Sequence, residues 1–257
     1  MKSNFYIVGR THYPWWVSSQ VARLATSLVV YLKYGLLFGV FFSLFVLVLT
    51  VYVWTKNVVL EGISGYHSYQ LMESFKFSFL LFIFSEVIFF ASIFWAFFDA
   101  ALSPRVEVGE EWRPLGINPV NPYGIPLFNT VVLLRRGATL TWSHNTLLSN
   151  EKSSRKISLF LTLILAFMFE SAQYVEFKEA TFSMSDGVYG RIFYFGTGFH
   201  GLHVIFGHLF LTYNFFRLAW GHFSRFQHLS FEFAIVYWHF VDVVWIFLYT
   251  FMYWWSF

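Results

Sequence analysis

The sequence predicts an all-α, polytopic membrane protein with seven transmembrane helices in a single membrane domain over residues 1–257. Hydrophobic residues make up 57% of the chain and aromatic residues 24%, whereas charged residues make up only 12%. Soluble globular domains carry about twice that charged fraction. A helix needs about 20 apolar residues to cross a hydrocarbon core about 30 Å thick, and the apolar runs of this chain reach that length. The composition leaves little room for a soluble domain.

The seven helices are predicted from these apolar runs. The first is interrupted by Arg23, and the third and sixth are longer than a perpendicular crossing requires, so both should tilt or project into the headgroups. The fourth, fifth and seventh carry charged residues near their middle. A segment with five of the six prolines separates the third from the fourth and predicts an ordered, non-helical loop. The predicted helices span residues 16–33, 35–55, 70–102, 126–148, 157–179, 189–219 and 229–255.

The basic residues predict which side of the membrane holds the N-terminus, because seven crossings place the two termini on opposite sides. The N-terminal side would carry Lys2, Arg10, Lys56, Lys152, Arg155, Lys156 and Arg225. The other side would carry Lys33, Arg105, Arg113, Lys178 and Arg191. The positive-inside rule therefore places the N-terminus in the matrix or the cytoplasm.

Glu86 lies inside the apolar run FIFSEVIFFASIFWAFF, residues 82–98. A charge at mid-bilayer costs at least about 2.5–3.5 kcal/mol unless it is paired, solvated or neutralised. Glu86 and His203 both lie halfway along their helices, so an antiparallel arrangement would bring them to the same depth. We therefore expect a protonated carboxyl, or one bonded to another helix or to a lipid headgroup. An interhelical hydrogen bond, a proton relay and a lipid contact all remain open at this point.

Arg135 and Arg136 lie near the middle of the fourth helix. Adjacent helical residues point about 100° apart, so they cannot both face one neighbouring helix. The acid most level with them is Glu170, midway along the fifth helix. We therefore predict that one of the two arginines pairs with Glu170. The alternative is that the fourth helix begins later and both arginines meet headgroups.

The histidines of the sixth and seventh helices raise the question of a metal site. His200 and His203 are three residues apart and so share a helical face, with His208 further along. Two histidines without an assembled third and fourth ligand favour interhelical hydrogen bonding, so we predict no metal site. His239 and Asp242, one turn apart, are predicted to form a structural pair. The predicted buried structural polar residues are Arg135, Arg136, Glu170, His200, His203, Glu232, His239 and Asp242.

Several chemistries are excluded by what the sequence lacks. Cysteine is absent, which excludes disulfides, thiolate metal ligands and a thiol nucleophile. No stretch matches a nucleophile elbow, a phosphate-binding glycine loop or a nucleic-acid-binding patch. We predict no catalytic residue and no nucleic-acid partner.

Four long segments resemble one family closely. They are FIFSEVIFFASIFWAFFDAALSP, GINPVNPYGIPLFNTVVLL, SDGVYGRIFYFGTGFHGLHVIFGHLFL and YWHFVDVVWIFLYTFMYWW. In content and order they are similar to the third subunit of cytochrome c oxidase, the haem–copper terminal oxidase. The resemblance runs from about residue 60 to the C-terminus, and the first 55 residues fit it in layout only.

The resemblance implies a particular architecture and role. Members of the family split their seven helices two plus five around a V-shaped cleft filled with phospholipid. They bind no haem or copper themselves, flank the catalytic subunit, support proton uptake and protect the oxidase from inactivation during turnover. Glu86, His67, Arg217, His222 and Glu61 match family positions associated with the lipids of the cleft.

The resemblance also implies partners and a location. The expected partners are the catalytic subunit one, the other oxidase subunits and membrane lipids, and a respiratory supercomplex is a further possible partner. Haem and copper are expected in the partner subunits. The expected lipids are of the cardiolipin, phosphatidylglycerol or phosphatidylethanolamine type. The expected location is the mitochondrial inner membrane, with the N-terminus in the matrix.

The chain departs from the family pattern at several positions. Asn145 replaces the second histidine of the motif TWAHH, and Leu60 stands where the family often has an arginine. Arg135, Arg136 and Glu170 are also atypical, which favours the predicted pairing between them. Two other functions stay open from the sequence: a free-standing proton channel or transporter relaying through Glu86, Glu170 and Asp242, and a seven-helix receptor.

Overall fold

The computed structural model describes residues 11–104, 112 and 116–257, and these fold entirely as helices and connections without a β-strand. Lys2, Arg10, Arg105 and Arg113, which enter the orientation prediction, lie outside the described residues. The α-helices are α1 Tyr13–Tyr34, α2 Phe38–Ile63, α3 Tyr69–Leu102, α4 Ile125–Leu148, α5 Lys152–Glu179, α6 Gly187–Ala219 and α7 Leu229–Leu248, the last continuing as a π-helical segment Tyr249–Trp254.

The seven predicted helices are therefore confirmed, with shifts at their ends. The helix α2 continues to Ile63 and α5 begins at Lys152, each beyond its predicted bound. The α5 extension is polar and the α2 extension contains Lys56, Asn57 and Glu61, so each helix continues beyond the apolar run on which the prediction rested. Four described helices are long and apolar enough to cross a membrane by length and composition: Phe38–Ile63, Tyr69–Leu102, Ser153–Glu179 and Leu229–Trp254.

The chain divides into two compact units, Met1–Phe75 and Lys76–Phe257. The prediction of one membrane domain over the whole chain stays a prediction. In the first unit α1 and α2 form a helical hairpin. Gly35 makes the turn in the left-handed conformation, with φ 72°, and its N–H donates to the carbonyl of Tyr31 at 2.7 Å. At the far end of the hairpin, the amide of Asn57 donates to the hydroxyl of Tyr13 at 2.6 Å.

The second unit holds the main core of the described chain. Trp238 and Trp245 of α7 are fully buried, and the ring of Trp245 packs edge-on against Phe169 of α5 with centroids 4.9 Å apart. Lipid tails are as apolar as these side chains, so close packing and hydrogen bonds, rather than a hydrophobic driving force, hold membrane helices together. Small residues make that packing close. A Cβ at Gly196 of α6 would lie 2.9 Å from Met252, and a Cβ at Gly207 would lie 2.9 Å from Trp238.

Candidate functional site

The carboxyl of Glu86 is bonded to His203 across the α3–α6 contact. An Oε2 of Glu86 lies 2.7 Å from Nε2 of His203, and Nδ1 of His203 lies 2.7 Å from the carbonyl of Phe199 in its own helix. A carbonyl only accepts, so Nδ1 carries a proton, and the Glu86–Nε2 contact needs one more. The pair is therefore either a carboxylic acid with a neutral imidazole or a carboxylate with an imidazolium. Both states are neutral overall, which explains how an acid is tolerated here.

The predicted equal depth of Glu86 and His203 is thus confirmed. The side chains of His203 and Glu86 keep 14% and 21% of their surface exposed, so one edge of the pair is accessible from outside the second unit. His203 is also enclosed by aromatic rings, with Phe90 edge-on at 5.0 Å between centroids. Packing on one side and access on the other allow the pair to meet a lipid or a partner.

The prediction that Arg135 or Arg136 pairs with Glu170 is wrong. Arg136 bonds Asp242 of α7 instead, through Nε at 3.1 Å and Nη2 at 2.8 Å to Oδ1. The guanidinium lies between two rings, 4.5 Å from the centroid of Phe169 and 4.6 Å from that of Trp238. Arg136 is fully buried, whereas Arg135 is exposed, so the prediction that Arg135 is a buried polar residue is wrong. The 100° step between adjacent residues therefore separates them, as expected, but it turns Arg136 toward α7.

Glu170 has a different partner, and Asp242 is shared. An Oε1 of Glu170 lies 3.0 Å from Nδ1 of His208 on α6. His239 keeps only a loose contact with Asp242, 3.8 Å from Nδ1 to Oδ2, and its side chain is 44% exposed. The predicted His239–Asp242 structural pair is therefore weaker than expected, because the guanidinium of Arg136 takes the other carboxylate oxygen. Glu86 of α3, Glu170 of α5 and Asp242 of α7 therefore each contact a basic residue on another helix.

The three histidines considered for a metal site diverge in the structure. His203 faces Glu86 and His208 faces Glu170, while Nε2 of His200 lies 3.2 Å from the carbonyl of Val241. They contact three different helices, so they cannot supply ligands to one ion. Interhelical contact, the role predicted for them, is the role that the structure shows.

A second polar cluster was missed by the sequence analysis. An Oε1 of Glu176 accepts from the hydroxyl of Tyr253 at 2.6 Å and from the amide of Gln173 at 3.1 Å. All three residues are buried. Gln173 and Glu176 share a helical face at i and i+3, a signal that could have been noticed. Tyr253 could not, because it reaches the cluster from the π-helical segment.

The residues that the resemblance associates with lipid are divided between the two units. In the first unit, Glu61 lies in the last turn of α2 and His67 follows in the connection. Burial lowers the pKa of His67, and the carboxylate of Glu61 opposes that shift. In the second unit, the guanidinium of Arg217 lies 4.5 Å over the ring of Phe223, and its buried Nε has no hydrogen-bond partner. His222 is exposed beside Trp220. The V-shaped lipid cleft stays a prediction.

The sequence matches one family model, described as cytochrome c oxidase subunit III, over residues 3–257. The chain belongs to the cytochrome c oxidase subunit III family. It is 42% identical to cytochrome c oxidase subunit 3 of Struthio camelus over 95% of this chain and 94% of that protein. It is 43% identical to the same subunit of Xenopus laevis over the same shares of the two chains. The subunit 3 of Prototheca wickerhamii is 46% identical over 80% of this chain and 79% of its own.

Membership of the subunit III family agrees with the polytopic, all-helical fold. The family match also covers most of the first unit, whose first 55 residues resembled the family in layout only. The structure shows how Arg136, one of the residues expected to be atypical of this family, is accommodated. Arg136 and Asp242 form a buried ion pair, so the charge of Arg136 is compensated by α7 rather than by Glu170.

Proposed function

We propose that the chain is a non-redox core subunit of cytochrome c oxidase, which stabilises the catalytic subunit, holds structural phospholipids and supports proton uptake while oxygen is reduced to water. It would lie in the mitochondrial inner membrane with its N-terminus in the matrix. Haem and copper would belong to partner subunits. Family membership supports the assignment to the oxidase, and the geometry of the second unit supports the accessory role.

The observation that carries the accessory role is the Glu86–His203 pair. A proton channel would need titratable groups within reach of one another along a path through the bundle. The relay considered from the sequence would run through three acids, and each acid has its own basic partner on another helix. The pairs are Glu86 with His203, Glu170 with His208, and Asp242 with Arg136. These side chains join helices to one another. These contacts favour a structural role over the alternative of a free-standing transporter.

The outer surface of the second unit supports a place among lipids and partner subunits. Side chains of α3 such as Phe77, Phe84 and Trp95 are 64%, 61% and 79% exposed. Exposed apolar surface of this kind requires a cover of acyl chains or protein. Glu86 lies on the same helix, α3, and its partly accessible pair with His203 of α6 suits a polar contact with a lipid headgroup or its bound water.

Changing Glu86 to glutamine tests the lipid role. The amide can still donate to Nε2 of His203, so the α3–α6 contact should hold while the titratable proton and the negative charge are lost. We expect an unchanged initial rate of oxygen reduction, fewer phospholipids retained per purified complex and faster inactivation during turnover. Lipid extraction with mass spectrometry and prolonged oxygen-electrode traces measure these quantities.

Glu170→Gln is the matched control, because Glu170 also pairs with a histidine of α6 and has nearly the same exposure. It should leave lipid content and turnover lifetime unchanged. Immediate loss of oxygen reduction in the Glu86 variant would contradict the accessory role, and equal lipid loss in both variants would contradict a specific role for Glu86. Proton flux through the chain reconstituted alone would favour the transporter instead.

A further inference from the structure

His144, His228 and Glu232 form a cluster that has no part in the proposed function, and of the three only Glu232 was predicted from the sequence, as a buried polar residue. One potential ligand atom from each residue lies within 4.8 Å of the other two. His144 lies one turn before the end of α4, His228 is the N-cap of α7, and Glu232 lies in the first turn of α7. Successive helices of the second unit alternate in direction, which brings the end of α4 and the start of α7 to the same end of the bundle.

The two imidazoles have ring nitrogens without a hydrogen bond. Nε2 of His144 and Nε2 of His228 are both buried and unsatisfied among the described residues. A buried polar atom without a partner costs about 1–3 kcal/mol. The side chain of His228 is only 6% exposed, so water does not readily replace the missing partner. The cluster therefore has two buried ring nitrogens that make no hydrogen bond.

The tautomer of His228 is set for ligation. Its Nδ1 lies 3.1 Å from the carbonyl of Ser224, which can only accept, so Nδ1 carries a proton and Nε2 offers its lone pair when the imidazole is neutral. Histidines that bind metals commonly donate their other ring N–H to a backbone carbonyl in this way. Nε2 of His228 also lies 3.2 Å from Oε1 of Glu232. That spacing is close to the roughly 3.3 Å that separates neighbouring ligands around a tetrahedral Zn²⁺.

We propose that His144, His228 and Glu232 bind a Zn²⁺ ion at this end of the second unit. Two imidazoles and one carboxylate are a ligand set typical of zinc, with a fourth position left for water. The rings of His144 and His228 have centroids 5.6 Å apart, so a modest side-chain movement brings the three ligand atoms to bonding distance. The side chain of Glu232 is 39% exposed and provides an entry path for the ion. Bound zinc would tie the end of α4 to the start of α7.

The test is a zinc titration of the intact oxidase complex after treatment with a chelator, in buffer with excess Mg²⁺, followed by calorimetry. Other subunits can bind zinc as well. The quantity that tests the proposal is therefore the difference in zinc affinity between the wild-type complex and complexes that carry variants of this chain. We expect His144→Gln and Glu232→Gln each to lower the affinity for one equivalent of Zn²⁺ by at least about tenfold. Equal titration curves for wild type and both variants would overturn the proposal.

Glu151→Gln is the matched control, because Glu151 is an exposed acid at the same end of the bundle and its loss changes the local charge by the same amount. It should titrate as the wild type does. If Glu151→Gln and Glu232→Gln lose affinity equally, the effect is general surface charge and the proposal fails. X-ray absorption of the zinc-loaded wild-type complex, minus that of the His144→Gln complex, should show two imidazole ligands; a difference signal without imidazole scattering would also refute it.

Discussion

Replacing Asp242 with asparagine is expected to destabilise the chain by about 3–5 kcal/mol, because it leaves the guanidinium of Arg136 buried and unpaired. The guanidinium has no exposed surface and is held between the rings of Phe169 and Trp238, so it cannot reach water without opening the α4–α7 contact. The measurement is the free energy of unfolding of the full-length chain in mixed micelles, obtained by titration with SDS.

The neighbouring arginine provides a matched control. Arg135 is exposed, so Arg135→Met should change the free energy of unfolding little, whereas Arg136→Met should be strongly destabilising because it strands Asp242. The double variant Arg136→Met with Asp242→Asn should be much less destabilised than the sum of the two single variants, since the charges interact directly. Additive effects, or an Asp242→Asn variant no less stable than Arg135→Met, would contradict a buried ion pair.

The contrast between Glu86 and Arg136 shows how far the sequence alone could go. Depth along a helix follows from residue number, since each residue rises 1.5 Å. Depth alone was enough to predict that Glu86 and His203 lie level with each other, because both are at the middle of antiparallel helices. It was not enough for Arg136, because Glu170 and Asp242 are acids at similar depth on different helices. Choosing between them requires knowing which helix the Arg136 side of α4 faces, and that depends on packing.

The same limit explains the two clusters that the sequence analysis missed. Glu176 and Tyr253 meet only because α7 continues into a π-helical segment, and helical periodicity at 100° per residue does not anticipate that change. His144 and His228 come from separate helices, so their spacing in the sequence carries no metal-site signature. The helices themselves were predictable because a long apolar run constrains the backbone in lipid, where each polar backbone group needs a partner.

Replacing Gly207 with alanine is expected to destabilise the chain by about 1–3 kcal/mol through overpacking. The new Cβ would lie 2.9 Å from Cε3 and 3.1 Å from Cζ3 of Trp238, and 3.3 Å from Cε1 of Tyr237. Trp238 cannot move aside freely, because it is fully buried and its ring also contacts the guanidinium of Arg136, 4.6 Å from the ring centroid. The strain should therefore pass from the α6–α7 contact to the ion pair with Asp242. Titration with SDS measures the loss of stability.

Gly201→Ala is the control that separates packing from helix propensity. Gly201 lies on the same helix, and a Cβ there would meet nothing within 4 Å. Alanine should then stabilise the helix by about 0.5–1 kcal/mol through its better propensity. Gly207→Ala gains the same propensity, so opposite signs for the two variants isolate the contact with Trp238. If both variants stabilise the chain, α6 and α7 do not approach as closely as the structure shows, and the tight packing that fixes Arg136 between its rings must be looser as well.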